Sequence, residues 1–174
     1  MRVLLLPGFG GTARQPLLVA LARELRAAGL APEIAVPPRA RPTPELRPQT
    51  EWLLSLLGKG PTAIVGRSFG GRVALRAAAE APVAAVVLLG FPVRPPARPR
   101  PLDETLLRTA RQPTLVLQGS RDPLGPLEVL SPLAARNRQV TLEVLPGAAH
   151  AFGRHEKAAR ARTVEWLLAR LPGK

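Results

Sequence analysis

Ser68 stands in Gly66-Arg67-Ser68-Phe69-Gly70, the most chemically suggestive run of this sequence. A G-x-S-x-G run alone occurs by chance often enough to mean little. Here it follows an apolar strand-like run, residues 62–65, and opens a helical pattern that continues through Val73. At such a junction the serine occupies a sharp, strained turn, and the flanking glycines let neighbouring backbone approach without a Cβ clash. The turn lifts Oγ above the sheet. The backbone N–H of Phe69, at a helix N-terminus, then faces any oxyanion formed beside it. The plain alternative is a helix-capping serine in a glycine-rich turn.

A serine hydroxyl is a poor nucleophile at neutral pH and needs a base. The chain has two histidines. His150 lies in Pro146-Gly147-Ala148-Ala149-His150, just past the final strand-like run, and is the candidate base. His155 falls where the last helix begins among charged residues and reads as a surface histidine. The base needs an acid to hold its tautomer. Asp122, in Gln118-Gly119-Ser120-Arg121-Asp122-Pro123, follows the run 114–117; Asp103 is its rival, and a turn residue before Pro123 is its plain alternative. The order Ser68, Asp122, His150 places each residue after a strand, where open parallel sheets build their sites. A second oxyanion donor is expected from Pro7-Gly8-Phe9-Gly10-Gly11-Thr12, with Phe9 N–H first and Gly10 N–H second. A phosphate loop there is disfavoured because G-x-G-x-x-G is not completed.

These residues need elements to carry them. Candidate strands are residues 2–6, 33–36, 62–65, 83–89, 114–117 and 140–145. Helical spacing marks Leu18/Leu21/Ala22/Leu25, Trp52/Leu53/Leu56/Leu57, Val73/Ala74/Ala77/Ala78 and Val164/Leu167/Leu168/Leu171. Strict alternation predicts βαβ units and a mostly parallel sheet of about six strands with helices on both faces. Residues 83–89 are apolar throughout, as a central parallel strand must be. The proline-rich stretches 37–48 and 92–101 read as stiff loops within one domain spanning 1–174. Thr43-Pro44-Glu45 reads as an N-cap and N1 proline opening a helix.

Hydrophobic residues make up 46% of the 174, aromatics only 3%, so the core is built from Leu, Val and Ala. No apolar run approaches the ~20 residues of a membrane helix, and the N-terminus lacks a signal-peptide pattern; a soluble, cytoplasmic protein is expected. The absence of cysteine excludes disulfides and thiolate chemistry. A net charge of +13 invites a nucleic-acid reading. However, 22 of the 25 basic residues are arginines dispersed from Arg2 to Arg170, without interleaved aromatics. No specific nucleic-acid partner is expected. The Arg-, Ala-, Leu- and Pro-rich composition fits a biased, heat-adapted proteome. The sequence is silent on oligomeric state.

From Leu4 to Leu171 the chain resembles the α/β-hydrolase superfamily, especially its small, lidless, dienelactone-hydrolase-like branch. Gly66-Arg67-Ser68-Phe69-Gly70-Gly71-Arg72, Phe91-Pro92-Val93-Arg94-Pro95-Pro96 and Gln118-Gly119-Ser120-Arg121-Asp122-Pro123-Leu124-Gly125 are similar to the testis-expressed-protein and chromatin-complex-subunit group and its bacterial relatives. The resemblance implies Ser68 as nucleophile, Asp122 as acid, His150 as base, and Phe9 and Phe69 as oxyanion donors, without a cap domain. One departure is Pro7, where the family's loop commonly begins with histidine. The expected reaction is acyl transfer on a small ester or thioester, with no metal or organic cofactor. The alternative is a non-catalytic binding or scaffold protein of the same fold. Phe9, Phe69, Phe91 and Phe152 all follow strand ends and are expected either to line an acyl pocket or to cap the core. Arg67 is expected in the substrate pocket and, with Arg94 and Arg121, flanks the site in sequence, which admits an anionic substrate.

Overall fold

The computed structural model describes residues 1–39 and 43–170. Six strands, β1 (Arg2–Leu6), β2 (Ala31–Ile34), β3 (Thr62–Arg67), β4 (Ala85–Leu89), β5 (Thr114–Gly119) and β6 (Val140–Leu145), form one sheet in the order β2-β1-β3-β4-β5-β6. All five pairings are parallel. Among the described residues, six α-helices connect or follow them: α1 (Pro16–Ala27), α2 (Arg47–Leu56), α3 (Phe69–Glu80), α4 (Pro101–Arg108), α5 (Leu127–Ala135) and α6 (Glu156–Leu168).

The two-residue strand period sorts the core into two layers. Val3, Leu5, Val65, Val87, Leu89, Leu115 and Leu117 pack against Leu18, Leu21 and Leu25 of α1 and Leu167 of α6. Their neighbours in sequence, Leu4, Leu6, Ile64, Val86, Leu88 and Val116, face Leu53 of α2, Val73 and Ala77 of α3, Leu107 of α4 and Leu130 of α5. Strands covered on both faces read as near-continuous apolar runs; all of β3 and β4 is buried, with polar residues only at the two ends of β3, Thr62 and Arg67.

Strand order reverses between β1 and β3. The loops leaving these two strands therefore splay to opposite sides and open a crevice beyond their carboxyl ends. The β1 loop carries Phe9, and the β3 turn carries Ser68. No described helix is long and apolar enough to cross a membrane.

Several sequence-based boundaries move. Strand β2 is Ala31–Ile34 rather than 33–36, because Arg2 pairs with Ala31 and fixes the register two residues earlier. Strand β4 starts at Ala85 rather than Val83, while β3 and β5 each run two residues further. Thr43-Pro44-Glu45 does not open a helix. Thr43 Oγ1 accepts the Leu46 N–H at 3.2 Å in a turn, Leu46 has φ 52°, and α2 begins at Arg47. The stretch 92–101 is a loop that ends in the first residue of α4, and Pro48 lies inside the first turn of α2. Residues 40–42 of the other proline-rich stretch, and Leu171 of the last helical pattern, lie outside the described residues.

Candidate active site

Ser68 sits between β3 and α3 with φ 48° and ψ −110°, a conformation that residues with a Cβ rarely adopt. The surrounding glycines are required by contact. A Cβ on Gly66 would lie 2.4 Å from Gly71 Cα, and one on Gly70 would lie 2.5 Å from the Leu6 carbonyl oxygen. Helix α3 thus packs directly against the ends of β3 and β1, and the strained turn lifts Ser68 out of the sheet. The Ser68 N–H donates to the Leu89 carbonyl at 2.9 Å, fastening the turn to β4.

The three separated residues meet. Ser68 Oγ lies 2.9 Å from His150 Nε2, and His150 Nδ1 lies 2.7 Å from Asp122 Oδ2. A carboxylate at Nδ1 selects the Nδ1–H tautomer and leaves the Nε2 lone pair for the serine hydroxyl. Asp122 is buried and held at both oxygens: Leu124 N–H donates to Oδ1 at 2.9 Å, and Gln118 Nε2 donates to Oδ2 at 2.8 Å. Gln118 also accepts the Phe91 N–H at 2.8 Å and donates to the Gly125 carbonyl at 3.0 Å. One buried amide therefore joins the ends of β4 and β5 to the carboxylate.

The β1 loop closes as a turn in which the Gly11 N–H donates to the Gly8 carbonyl at 2.9 Å, with Gly10 at φ 67°. Phe9 and Gly10 fill the central positions of this turn. Gln15 Oε1 accepts the Gly8 N–H at 3.3 Å and supports the loop from the N-cap of helix α1. A Cβ on Gly8 would stand 3.7 Å from Ser68 Cβ, so the loop passes immediately beside the serine. The Phe9 and Phe69 rings meet edge to face, with centroids 5.8 Å apart.

A cavity of about 440 Å³ opens over Ser68, walled by Phe9, Phe69, Pro92 and Leu124 and closed on one side by arginines. Phe91 and Phe152 do not line it. They are 0% and 2% exposed, Phe91 packed into the layer with α3 and Phe152 into the layer with α1 and α6, so both seal the core instead. Arg67 does not face the cavity either. It is buried, donates to the carbonyls of Leu89 at 3.1 Å and His150 at 2.5 Å, and lies 5.3 Å from the centre of the Phe152 ring. Its NH1 is also 3.4 Å from His150 Nε2. Burial pulls its guanidinium below its ordinary pKa, with Asp122 and Glu156 opposing.

Arg94 is engaged by Glu104, and Arg121 is exposed. The His155 ring accepts from Arg154 at 3.4 Å and, among the described residues, makes no hydrogen bond to Ser68, Asp122 or His150. Asp103, the rival acid, is fully buried in α4, where it binds Arg72 and Arg76. The structural parts of Arg67 and Gln118 were missed from sequence. The one available signal for Gln118 was a polar residue directly following the apolar run Leu115-Val116-Leu117.

A six-stranded parallel sheet with a serine, histidine and carboxylate linked at its carboxyl edge is the architecture of an α/β hydrolase. The chain belongs to that family: the alpha/beta hydrolase domain model matches residues 37–170. No curated protein matches the chain. Among solved structures it is similar to a putative hydrolase of the alpha/beta superfamily from Xanthomonas campestris (24% identity, TM-score 0.76, covering 97% of this chain and 98% of that one). A second Xanthomonas campestris protein, an α/β serine hydrolase without a lid, aligns at 21% identity and TM-score 0.72 over 99% and 84%. A thermophilic esterase from Thermogutta terrifontis aligns at 20% identity and TM-score 0.73 over 99% and 91%. At these identities the likenesses speak for the fold, which is that of a small hydrolase without a cap domain.

Proposed function

We propose that this protein is a serine esterase acting on small acyl esters or thioesters through Ser68, His150 and Asp122. The observation that carries this reading is the hydrogen-bonded series from Ser68 Oγ to His150 Nε2 at 2.9 Å and from His150 Nδ1 to Asp122 at 2.7 Å.

In the first step Ser68 Oγ bonds to the substrate carbonyl carbon while His150 Nε2 takes the hydroxyl proton. The negative charge moves to the carbonyl oxygen, which rests on the backbone N–H groups of Phe69 and of Phe9 or Gly10. His150 then delivers its proton to the departing alcohol or thiol, and the acyl group remains on Ser68. Water attacks the acyl-enzyme with His150 again as base, and the acid leaves as the serine is restored. No step calls for a metal or an organic cofactor. Asp122 steadies the imidazolium formed twice per turnover. Loss of one oxyanion donor typically costs about 10²–10³ in rate, and loss of the serine or histidine ~10⁶.

A fluorophosphonate probe tests the reading directly. Covalent labelling of the wild type and none of Ser68→Ala is expected. A correctly folded wild type that stays unlabelled would overturn the esterase reading in favour of a non-catalytic binding protein. Short 4-nitrophenyl esters of graded acyl length then report turnover.

A further inference from the structure

Arginines gather on one side of the Ser68 cavity. Arg72 follows Ser68 by four residues along α3 and Arg76 by eight, so the two cations climb the same helix face in successive turns above the serine. One carboxylate serves both. Asp103 Oδ2 accepts from Arg72 Nε at 2.7 Å and its Oδ1 from Arg76 NH1 at 2.5 Å. Arg76 is further occupied by the carbonyls of Arg72 and Pro44. Arg72 gives only Nε to this network and also lines the cavity above Ser68.

Two more cations complete the wall. Arg100, half-buried, donates to the Pro92 carbonyl at 2.9 Å, and Arg98 is exposed. Among the described residues neither forms a salt bridge to a carboxylate, and neighbouring Glu104 is taken by Arg94. The Ser68 cavity and an adjoining one of about 390 Å³ share Arg72, Arg98 and Arg100. Arg72 and Arg76 thus share one buried carboxylate, Arg98 and Arg100 line the same two cavities without one, and the excess positive charge borders the reaction cavity. Burial first, and then repulsion from Arg72, lower the Arg100 pKa to about 10, so it remains a cation at neutral pH. Crowded cations with unused donors favour an anion, which guanidinium can bind in bidentate fashion.

From this arrangement we infer that the substrate carries its own anionic group, a carboxylate or a phosphate-like group, held by Arg72, Arg98 and Arg100 while its ester carbonyl lies at Ser68. The apolar wall of Phe9, Phe69, Pro92 and Leu124 takes the chain between them. This substrate class rests on the serine-esterase reading of the same site.

The test compares the 4-nitrophenyl esters of hexanoate, adipate (as the monoester) and 6-phosphonohexanoate, which share a six-carbon acyl chain and differ at its end. We expect kcat/KM for at least one anionic ester to exceed that for hexanoate about tenfold or more, the better of the two identifying the anion. In Arg98→Gln/Arg100→Gln this ratio falls at least tenfold. In Arg23→Gln/Arg26→Gln, which removes the same charge from the exposed face of α1, it changes less than twofold. Equal turnover of all three esters, or a preference that survives loss of Arg98 and Arg100, would overturn the inference. Calorimetry on Ser68→Ala separates binding from chemistry. If no ester is turned over, tighter binding of an anionic ester than of hexanoate sustains the anion site while the esterase reading fails, and equal binding removes both.

Discussion

The Arg67 guanidinium spans 83 residues of sequence to donate a hydrogen bond to the His150 carbonyl, while its other terminal nitrogen holds Leu89 at the end of β4. The residue just before the serine therefore anchors the loop carrying the histidine, and both belong to one hydrogen-bonded polar unit. The cation also stacks on Phe152, two residues beyond His150.

Replacing Arg67 with leucine keeps side-chain bulk but releases the His150 loop. Arg67 is a positioning residue, so kcat should fall roughly tenfold or more while KM changes little, since misplacing a catalytic group slightly is costly in rate. Arg67→Lys should recover part of the loss, because one ammonium cannot hold both carbonyls in the guanidinium's fork. Steady-state kinetics normalised to the fluorophosphonate-reactive fraction separates this from simple unfolding. Unchanged kcat in the reactive fraction would make Arg67 merely structural.

Gln118 offers a second test. In Gln118→Leu the buried Phe91 N–H loses its acceptor and Asp122 loses one donor. An orphaned buried group costs about 1–3 kcal/mol, or roughly 2–4 °C of melting temperature per kcal/mol at this chain length. Calorimetric melting should show that drop, accompanied by slower turnover because Asp122 is no longer held at both oxygens.

Which parts of this architecture were visible beforehand follows from burial. The central strands β3, β4 and β5 lie between two helical layers, so their apolar runs stood out against everything around them. Edge strand β2 pairs with β1 alone and has an alternating exposed pattern, and its position differs by two residues from the one its sequence suggests. Helices α4 and α5 went unseen. The first is eight residues long and opens inside a proline-rich stretch, and the second contains Pro132. Ser68, Asp122 and His150 were legible because each follows a strand within a few residues. Arg67 was read as facing substrate, since in a chain with 22 arginines nothing local distinguishes a buried tether from a surface charge. Phe91 and Phe152 carry the same ambiguity: a phenylalanine after a strand can line a cavity or seal the core, and only the path of the loop decides.

Asp103 joins α4 to α3 through Arg72 and Arg76, all three side chains being less than a tenth exposed. Removing one partner of a buried ionic group leaves uncompensated charge, which typically costs about 3–5 kcal/mol. Asp103→Asn should therefore melt roughly 10 °C lower. The triple replacement Asp103→Leu, Arg72→Leu, Arg76→Met should recover most of that loss, because apolar groups of similar volume often replace such a cluster at little cost. A triple variant no more stable than Asp103→Asn would show that the ions contribute stability in their own right.

Ser68 combines a helix-opening position with φ 48° and ψ −110°. A residue in such a sparsely populated region costs on the order of 1–3 kcal/mol. Alanine retains the Cβ that makes the turn costly, whereas glycine adopts positive φ freely but gives up roughly 0.5–1 kcal/mol through the greater entropy of its unfolded chain. The strain outweighs the entropy. Ser68→Gly should be more stable than Ser68→Ala by about 1 kcal/mol, seen as a melting temperature roughly 2–4 °C higher, although both lack the hydroxyl and neither reacts with fluorophosphonate. This reverses the order expected within a helix, where alanine outranks glycine by about 1 kcal/mol. Equal or inverted melting temperatures for the two variants would mean that the turn is relaxed and that the serine is exposed by the close packing of Gly66 and Gly70 alone.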